Sequence, residues 1–364
     1  MTNWVTGSSS DHYATRQGGA GSRSRRVYSS AGRRRRALAR ALVAALLLLA
    51  LALAWTRIGA AGQQTAPRVE RSPTSGKAFD LAWPNEGEAA VAVNGLGSLG
   101  ASGSGAPVPI ASVAKVMTAY LVLRDHPLAA GEEGFEIEID EADVEELHER
   151  IALDQSVVAV EAGEVLSERQ ALEALMLPSA NNVAALLAVH EAGSVEAFVA
   201  EMNEAAAELG MENTHYTDPS GWDAGTVSTA RDQLKIGRAA MADPTFAEIV
   251  ALPTAVLPVA GEVSNYNALV GHEGFVGIKT GSHEAAGGCL LFAKRIEVDG
   301  RTRTMIGVVL GQRQGDLVEA ALTSARRLAD SAAAAVGGSP RANSHRGDNV
   351  PVEPSDQGAT GSSR

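Results

Sequence analysis

The sequence predicts an α/β fold in which a largely antiparallel sheet is sandwiched by helices, with an all-helical lobe inserted into it. Three observations carry that expectation. A short apolar run, Ala89 to Val93, reads as a first strand. Helical periodicities fill the middle of the chain, over Glu168 to Met176, Asn182 to His190, Val195 to Leu209 and Ala230 to Met241. Three later apolar stretches, Phe275 to Lys279, Gly288 to Lys294 and Thr304 to Leu310, read as strands before a closing helix from Asp316 to Leu328.

Ahead of this pattern lies a different composition. Residues 1–36 are rich in Ser, Gly and Arg and are expected to form a disordered basic cytoplasmic tail. From Ala37 an almost unbroken Ala/Leu run, interrupted by Arg40, continues to Trp55, and residues 37–58 are expected to form a transmembrane anchor. As a helix they would reach ~33 Å, enough to cross a ~30 Å hydrocarbon core if Arg40 snorkels. The Arg33–Arg36 cluster orients such a span with its N-terminus in the cytoplasm and everything after Arg57 outside. Ala52-Leu53-Ala54 and Gly59-Ala60-Ala61 offer small-residue cleavage sites that would release a secreted form; the long basic leader favours an uncleaved single-pass anchor. Residues 59–87, with Pro67, Pro73 and Pro84, read as a linker. The folded domain is placed at 88–330 and a second disordered tail at 331–364.

Charge follows the same division. The chain carries −12 in total, with +9 on residues 1–57 and therefore −21 beyond them. The acidic part lacks the clustered Lys and Arg that phosphate contacts require, so nucleic acid is not an expected partner. Cys289 is the only cysteine, which excludes an intrachain disulfide. The eight His are scattered and no H-E-x-x-H occurs, so neither metal nor cofactor is expected.

Within the domain, a Gly/Ser-rich turn should extend through Gly105. Ile110 to Leu123 reads as a buried helix after Pro109, with Ile110, Ala114, Met117 and Leu121 at helical spacing. Glu132 to Glu149 is strongly acidic, its Phe135, Ile137 and Ile139 alternating like a surface strand, and reads as a solvated face.

Three constellations, about 65 and then 100 residues apart, carry the chemistry: Ser112-Val113-Ala114-Lys115, Ser179-Ala180-Asn181 and Lys279-Thr280-Gly281. The chain has five lysines, two fall inside the set, and no other serine precedes a lysine by three. Ser112 and Lys115 share a helical face. A lysine serves as base for a serine only when neutral, and burial beside a second cation, here Lys279, would keep it so. Lys115 indeed sits in the apolar pattern Ala114, Val116, Met117 and Ala119. Ser179 and Asn181 can face one cleft if a turn after Pro178 starts the next helix; capping that helix is their simpler use. Lys279-Thr280-Gly281 closes an apparent strand, where a cation and a hydroxyl can meet a carboxylate and the glycine admits close backbone approach.

On these motifs the chain resembles the low-molecular-weight serine-type D-alanyl-D-alanine carboxypeptidases, penicillin-recognising serine enzymes with a β-lactamase/transpeptidase-like fold. Pro109-Ile110-Ala111-Ser112, Leu177-Pro178-Ser179-Ala180-Asn181-Asn182, Asp218-Pro219-Ser220-Gly221, Ser228-Thr229-Ala230-Arg231-Asp232 and Gly277-Ile278-Lys279-Thr280-Gly281 extend the likeness across the domain. One departure is Ser179-Ala180-Asn181-Asn182, where the family usually has Ser-Gly-Asn-Asp. The resemblance implies that Ser112 is acylated by peptidoglycan stem peptides ending in D-Ala-D-Ala, and by β-lactams. It implies Lys115 as base, Ser179 as proton relay, and Asn181, Lys279, Thr280 and Gly281 as substrate-binding residues. The backbone N–H groups of Ser112 and Ser282 map to the oxyanion hole. A class A-like β-lactamase is an alternative, although no convincing Glu-x-x-x-Asn loop precedes the third constellation. A non-catalytic, membrane-tethered wall-binding or β-lactam-sensing domain is another, although such a module need not keep Lys115.

Overall fold

A hairpin comes first along the chain. In the computed structural model, which describes residues 79–337, β1 (Glu88–Val93) turns back on itself into β2 (Gly97–Ser102). The Gly/Ser-rich stretch expected as a turn therefore carries a strand. Its small residues hide the alternation that marks a strand in sequence.

The lobe follows. It holds β3 (Val108–Pro109), α1 (Lys115–Asp125), β4 (Glu136–Glu138), α2 (Glu141–Ala152), β5 (Val165–Ser167), α3 (Glu168–Met176), α4 (Asn181–Ala192), α5 (Val195–Glu208), β6 (Val227–Ser228), α6 (Ala230–Ala240), α7 (Pro244–Ile249), β7 (Thr254–Leu257) and β8 (Gly261–Ser264). It is thus not all-helical, because β4 pairs with β5 and β7 with β8 in two small ribbons. Strands this short contain too few alternations to be read from periodicity. The acidic run divides accordingly. Only Glu136–Glu138 is strand, and α2 starts where Asp140 accepts from the Ala142 and Asp143 N–H groups while the Asp143 carboxylate accepts from Asp140 N–H. Leu147 is the one buried side chain of α2, as a solvated face requires.

β9 (Phe275–His283), β10 (Gly287–Val298) and β11 (Arg301–Gln312) then complete a five-stranded antiparallel sheet in the order β2-β1-β11-β10-β9. Each runs past its expected end, since polar residues at the rims keep pairing after the apolar signal stops. The closing helix α8 (Leu317–Gly337) likewise continues beyond Asp330, into the stretch expected as a tail. The basic tail, anchor and most of the linker fall outside the described residues, as does the chain after Gly337. Among the described residues no single helix is long and apolar enough to cross a membrane.

Alternation along β10 and β11 explains the two layers. Leu290, Phe292, Met305 and Val309 face α8, packing on Leu322, Ala325 and Leu328. Leu291, Ala293, Ile306 and Val308 face the lobe and join a core with Met117, Leu121 and Ile236. Both faces are covered, so β10 is buried through its first eight residues. Phe292 is fully buried on the α8 side, edge-on to Phe275 at 5.8 Å, and its ring fills the space a β-carbon on Gly307 would need. Phe292→Ala is expected to lower the unfolding free energy by roughly 3–5 kcal/mol in urea titrations. A loss under about 1 kcal/mol would mean that this layer does not hold α8 to the sheet.

Candidate active site

The first constellation sits where the lobe leaves the sheet. β3 pairs with β6, and Ile110 N–H donates to Thr226 O at 3.3 Å, so the chain is held on both sides of its turn into α1. The helix expected from Ile110 begins differently. Ala111 has φ +47°, and Ala111–Ala114 forms a 3₁₀ turn that runs directly into Lys115. With three residues per turn, this geometry eclipses positions i and i+3 and brings Lys115 over Ser112. Their shared face survives, by a tighter helix than the sequence implied.

Lys115 is fully buried. Its Nζ lies 2.9 Å from Ser112 Oγ, 2.6 Å from Asn181 Oδ1 and 2.8 Å from Ser220 O. Two of these partners are carbonyl-type oxygens that can only accept. A neutral amine has two protons and one lone pair. It satisfies both carbonyls by donation, and the lone pair is left for the Ser112 hydroxyl. Burial pulls the Lys115 pKa well below the ordinary lysine value, helped by Lys279 and to a lesser extent Arg150; Asp218 opposes the shift. A neutral amine held in this orientation can act as a base towards Ser112.

The second constellation follows α3. Ser179 takes φ +66°, Ala180 is the N-cap of α4, and Asn181 is the first helical residue. No side chain caps this helix, so the simpler capping role is absent; the Asn181 amide is turned to Lys115 instead. Ser179 is 3% exposed and its hydroxyl makes no hydrogen bond to another described residue. The departure at Ala180 is harmless: φ −61° and ψ 113° suit any L-residue. Asn182 serves the scaffold, donating to Val158 O at 3.0 Å and accepting from Val158 N–H at 3.2 Å.

The third constellation lies inside β9 rather than closing it, since pairing with β10 continues to His283. Gly281 explains how an edge strand reaches the nucleophile. A β-carbon there would stand 2.9 Å from Ser112 N and 3.0 Å from both Ile110 O and Val113 N, too close to tolerate. Lys279 is 1% exposed, its Nζ donating to Thr280 O at 3.1 Å, and burial lowers its pKa to about 7. Thr280 is buried beside it, while Ser282 is exposed.

Sequence reasoning marked Asp218-Pro219-Ser220-Gly221 as a landmark but gave it no task. Asp218 Oδ2 accepts from Ser220 Oγ–H (2.5 Å) and Trp222 N–H (3.0 Å), and Oδ1 from Thr226 Oγ1–H (2.7 Å). This closed turn aims Ser220 O at Lys115, and Thr118 Oγ1–H holds Pro219 O at 2.7 Å. Gly221 has φ +76°, and a β-carbon on it would overlap the Ala111 carbonyl. Gln155, which accepts from Asn181 Nδ2–H at 2.8 Å, was not recognised at all. Among the described residues no group of three His, Cys, Asp or Glu could hold a metal ion.

A half-buried serine beside a fully buried lysine, between an antiparallel sheet and a helical lobe, is the site of a serine acyl-transfer enzyme. Residues 99–314 match the model of the D-alanyl-D-alanine carboxypeptidase family of serine peptidases, and the chain belongs to that family. It is 43% identical over 136 residues to the Mycobacterium tuberculosis D-alanyl-D-alanine carboxypeptidase DacB2, covering 35% of this chain and 46% of that one. To the Escherichia coli D-alanyl-D-alanine endopeptidase it is 32% identical over 196 residues, covering 50% and 58%. The matched segments thus span about half the length of these curated relatives. The crystal structure of the Streptomyces K15 DD-transpeptidase superposes with a TM-score of 0.58 at 27% identity, over 70% of this chain and 97% of that one. The β-lactamase/transpeptidase-like fold expected from the motifs is the one observed.

Burial of Lys279 leaves a signature in stability. Folded Lys279 gives up its proton at about pH 7, whereas an unfolded lysine holds one to about 10.4. Between these values the unfolded chain binds more protons, so stability rises with pH. The difference in unfolding free energy, Lys279→Met minus wild type, should therefore be largest below pH 7 and shrink by roughly 2–5 kcal/mol towards pH 10. Urea unfolding of both proteins across this range measures it; a constant gap would mean that Lys279 keeps its proton when buried.

Proposed function

We propose that this protein is a serine-type D-alanyl-D-alanine carboxypeptidase that removes the terminal D-Ala from peptidoglycan stem peptides. The supporting observation is the Lys115 amine, held by two acceptors with its third direction on Ser112 Oγ. Ser112 Oγ attacks the carbonyl carbon of the penultimate D-Ala while its proton passes to Lys115 Nζ. The oxyanion is met by the backbone N–H groups of Ser112 and Ser282, such donors being worth roughly 3–4 kcal/mol each. The C–N bond breaks as Ser179 relays a proton to the leaving amine, giving free D-Ala and an ester on Ser112. Lys115, relieved of its first proton by that relay, takes one from the water that attacks the ester and returns it to Ser112 Oγ as the shortened stem peptide leaves.

Asn181 holds the peptide group, and Lys279 with Thr280 binds the terminal carboxylate beside Gly281. A carboxylate arriving at Lys279 would restore its ammonium, and that charge would in turn hold Lys115 neutral. A β-lactam acylates the same serine. Ser112→Ala is expected to abolish both D-Ala release and labelling by a fluorescent penicillin, with the melting temperature kept. Slow loss of label from wild type supports a carboxypeptidase, rapid loss a β-lactamase, and no labelling a non-catalytic module.

We further propose that residues 37–58 hold the domain on the outer face of the cytoplasmic membrane, an arrangement supported by the Arg33–Arg36 cluster and the apolar run. Protease added to intact spheroplasts should digest the catalytic domain and leave a small membrane-bound fragment. A protected domain would reverse the orientation, and a soluble mature protein starting near Gln63 would make the segment a cleaved signal.

A further inference from the structure

The Asn181 amide has two faces of nearly equal shape, and only one leaves Lys115 competent. With Oδ1 on the lysine, the amine donates to it and keeps its lone pair for Ser112. Flipped, the amide would set an Nδ2–H donor against the amine and occupy that lone pair. The amide's far side is governed by α2. Asn181 Nδ2–H donates to Gln155 Oε1 at 2.8 Å, and the same oxygen accepts from Arg150 Nη1–H at 3.2 Å. A guanidinium has no acceptor, so it leaves Gln155 one orientation to present. Arg150 is itself tied to Glu146, its Nε–H donating to Oε1 at 3.1 Å. The turn after α2, with Asp154 at φ +57°, returns Gln155 N–H to Arg150 O at 3.0 Å, so the two side chains act from one rigid corner.

We propose that Arg150 and Gln155 are a positioning pair that fixes the flip of the Asn181 amide, so that Oδ1 faces Lys115 and the amine's lone pair is reserved for Ser112. Donor polarity is passed from Arg150 through Gln155 and Asn181 to the nucleophile. Neither residue belongs to the three constellations. The guanidinium also adds a cation to those acting on Lys115, alongside Lys279 and against Asp218. The inference rests on the proposed acylation of Ser112 with Lys115 as base.

Acylation of full-length protein by a fluorescent penicillin, followed against pH and penicillin concentration, tests it. Gln155→Leu removes the acceptor at similar size and should slow the limiting acylation rate roughly tenfold, the value of one hydrogen bond to a polar partner, with little change in the concentration for half-maximal rate. Gln155→Glu keeps the acceptor and adds a negative charge. It should recover the wild-type rate at high pH, with the acidic limb of the profile moved to higher pH because Lys115 then holds its proton longer. Arg150→Met, a change that suits a helix, frees the Gln155 amide to flip and should slow the limiting rate in the same direction as Gln155→Leu. All variants should reach one label per chain. A wild-type rate and profile in Gln155→Leu would overturn the proposal, as would a wild-type limiting rate in Arg150→Met, which carries the test if Gln155→Leu fails to fold. Gln155→Glu as slow as Gln155→Leu at every pH would make Gln155 a packing residue only. Absence of label on Ser112 of the wild type would remove the underlying acylation reading, an outcome distinct from all of these.

Discussion

Burial of the Lys115 amine is the constraint on which the rest of this structure depends. A charged ammonium in that position would cost several kcal/mol, and a neutral amine with unmatched protons would also be costly. Two fixed carbonyl oxygens solve both problems. One is supplied by a side chain at the start of α4, the other by the backbone of the turn at Ser220. Neither is near Lys115 in sequence, so the amine is satisfied only when three separate segments have come together.

The sheet and the lobe divide this work. β9 lies at the sheet edge and brings Lys279 and Gly281 against the 3₁₀ turn, while the covered faces of β10 and β11 keep that edge from shifting. The lobe supplies the acceptors and, through Asp218 and Gln155, the groups that orient them. Backbone conformations that ordinary residues avoid, Ala111 at +47° and Ser179 at +66°, fall at the nucleophile turn and at the second constellation. They are held there by pairing of β3 with β6 on one side and by the Ala180 N–H donating to Ala174 O at 3.0 Å on the other.

The chain belongs to the D-alanyl-D-alanine carboxypeptidase family, and the proteins it resembles are named carboxypeptidase, endopeptidase and transpeptidase. In the described site, Ser112 Oγ and Asn181 Oδ1 both lie within hydrogen-bonding distance of the Lys115 amine.

The sequence by itself determined the four central helices nearly to the residue, because each carries several turns of unbroken periodicity and most begin at a Ser or Thr cap. It also singled out Ser112, Lys115, Asn181 and Lys279 as candidates, since S-x-x-K and K-T-G are local patterns legible without the fold, and the structure brings Ser112 and Asn181 onto the Lys115 amine. β2 and the two ribbons were not legible, being too short or too rich in glycine for alternation to register. Nor was the 3₁₀ start of α1, which differs from an α-helix by half a residue per turn. Only the tertiary structure decided that Ser220 contributes a backbone oxygen, a group every residue possesses and no side chain advertises. It alone decided that Gln155, itself held by Arg150, meets Asn181, a contact between residues 26 positions apart whose identity depends on how the turn after α2 folds back. Local patterns are written in the chain; the direction of a hydrogen bond between distant segments is set only by how they pack.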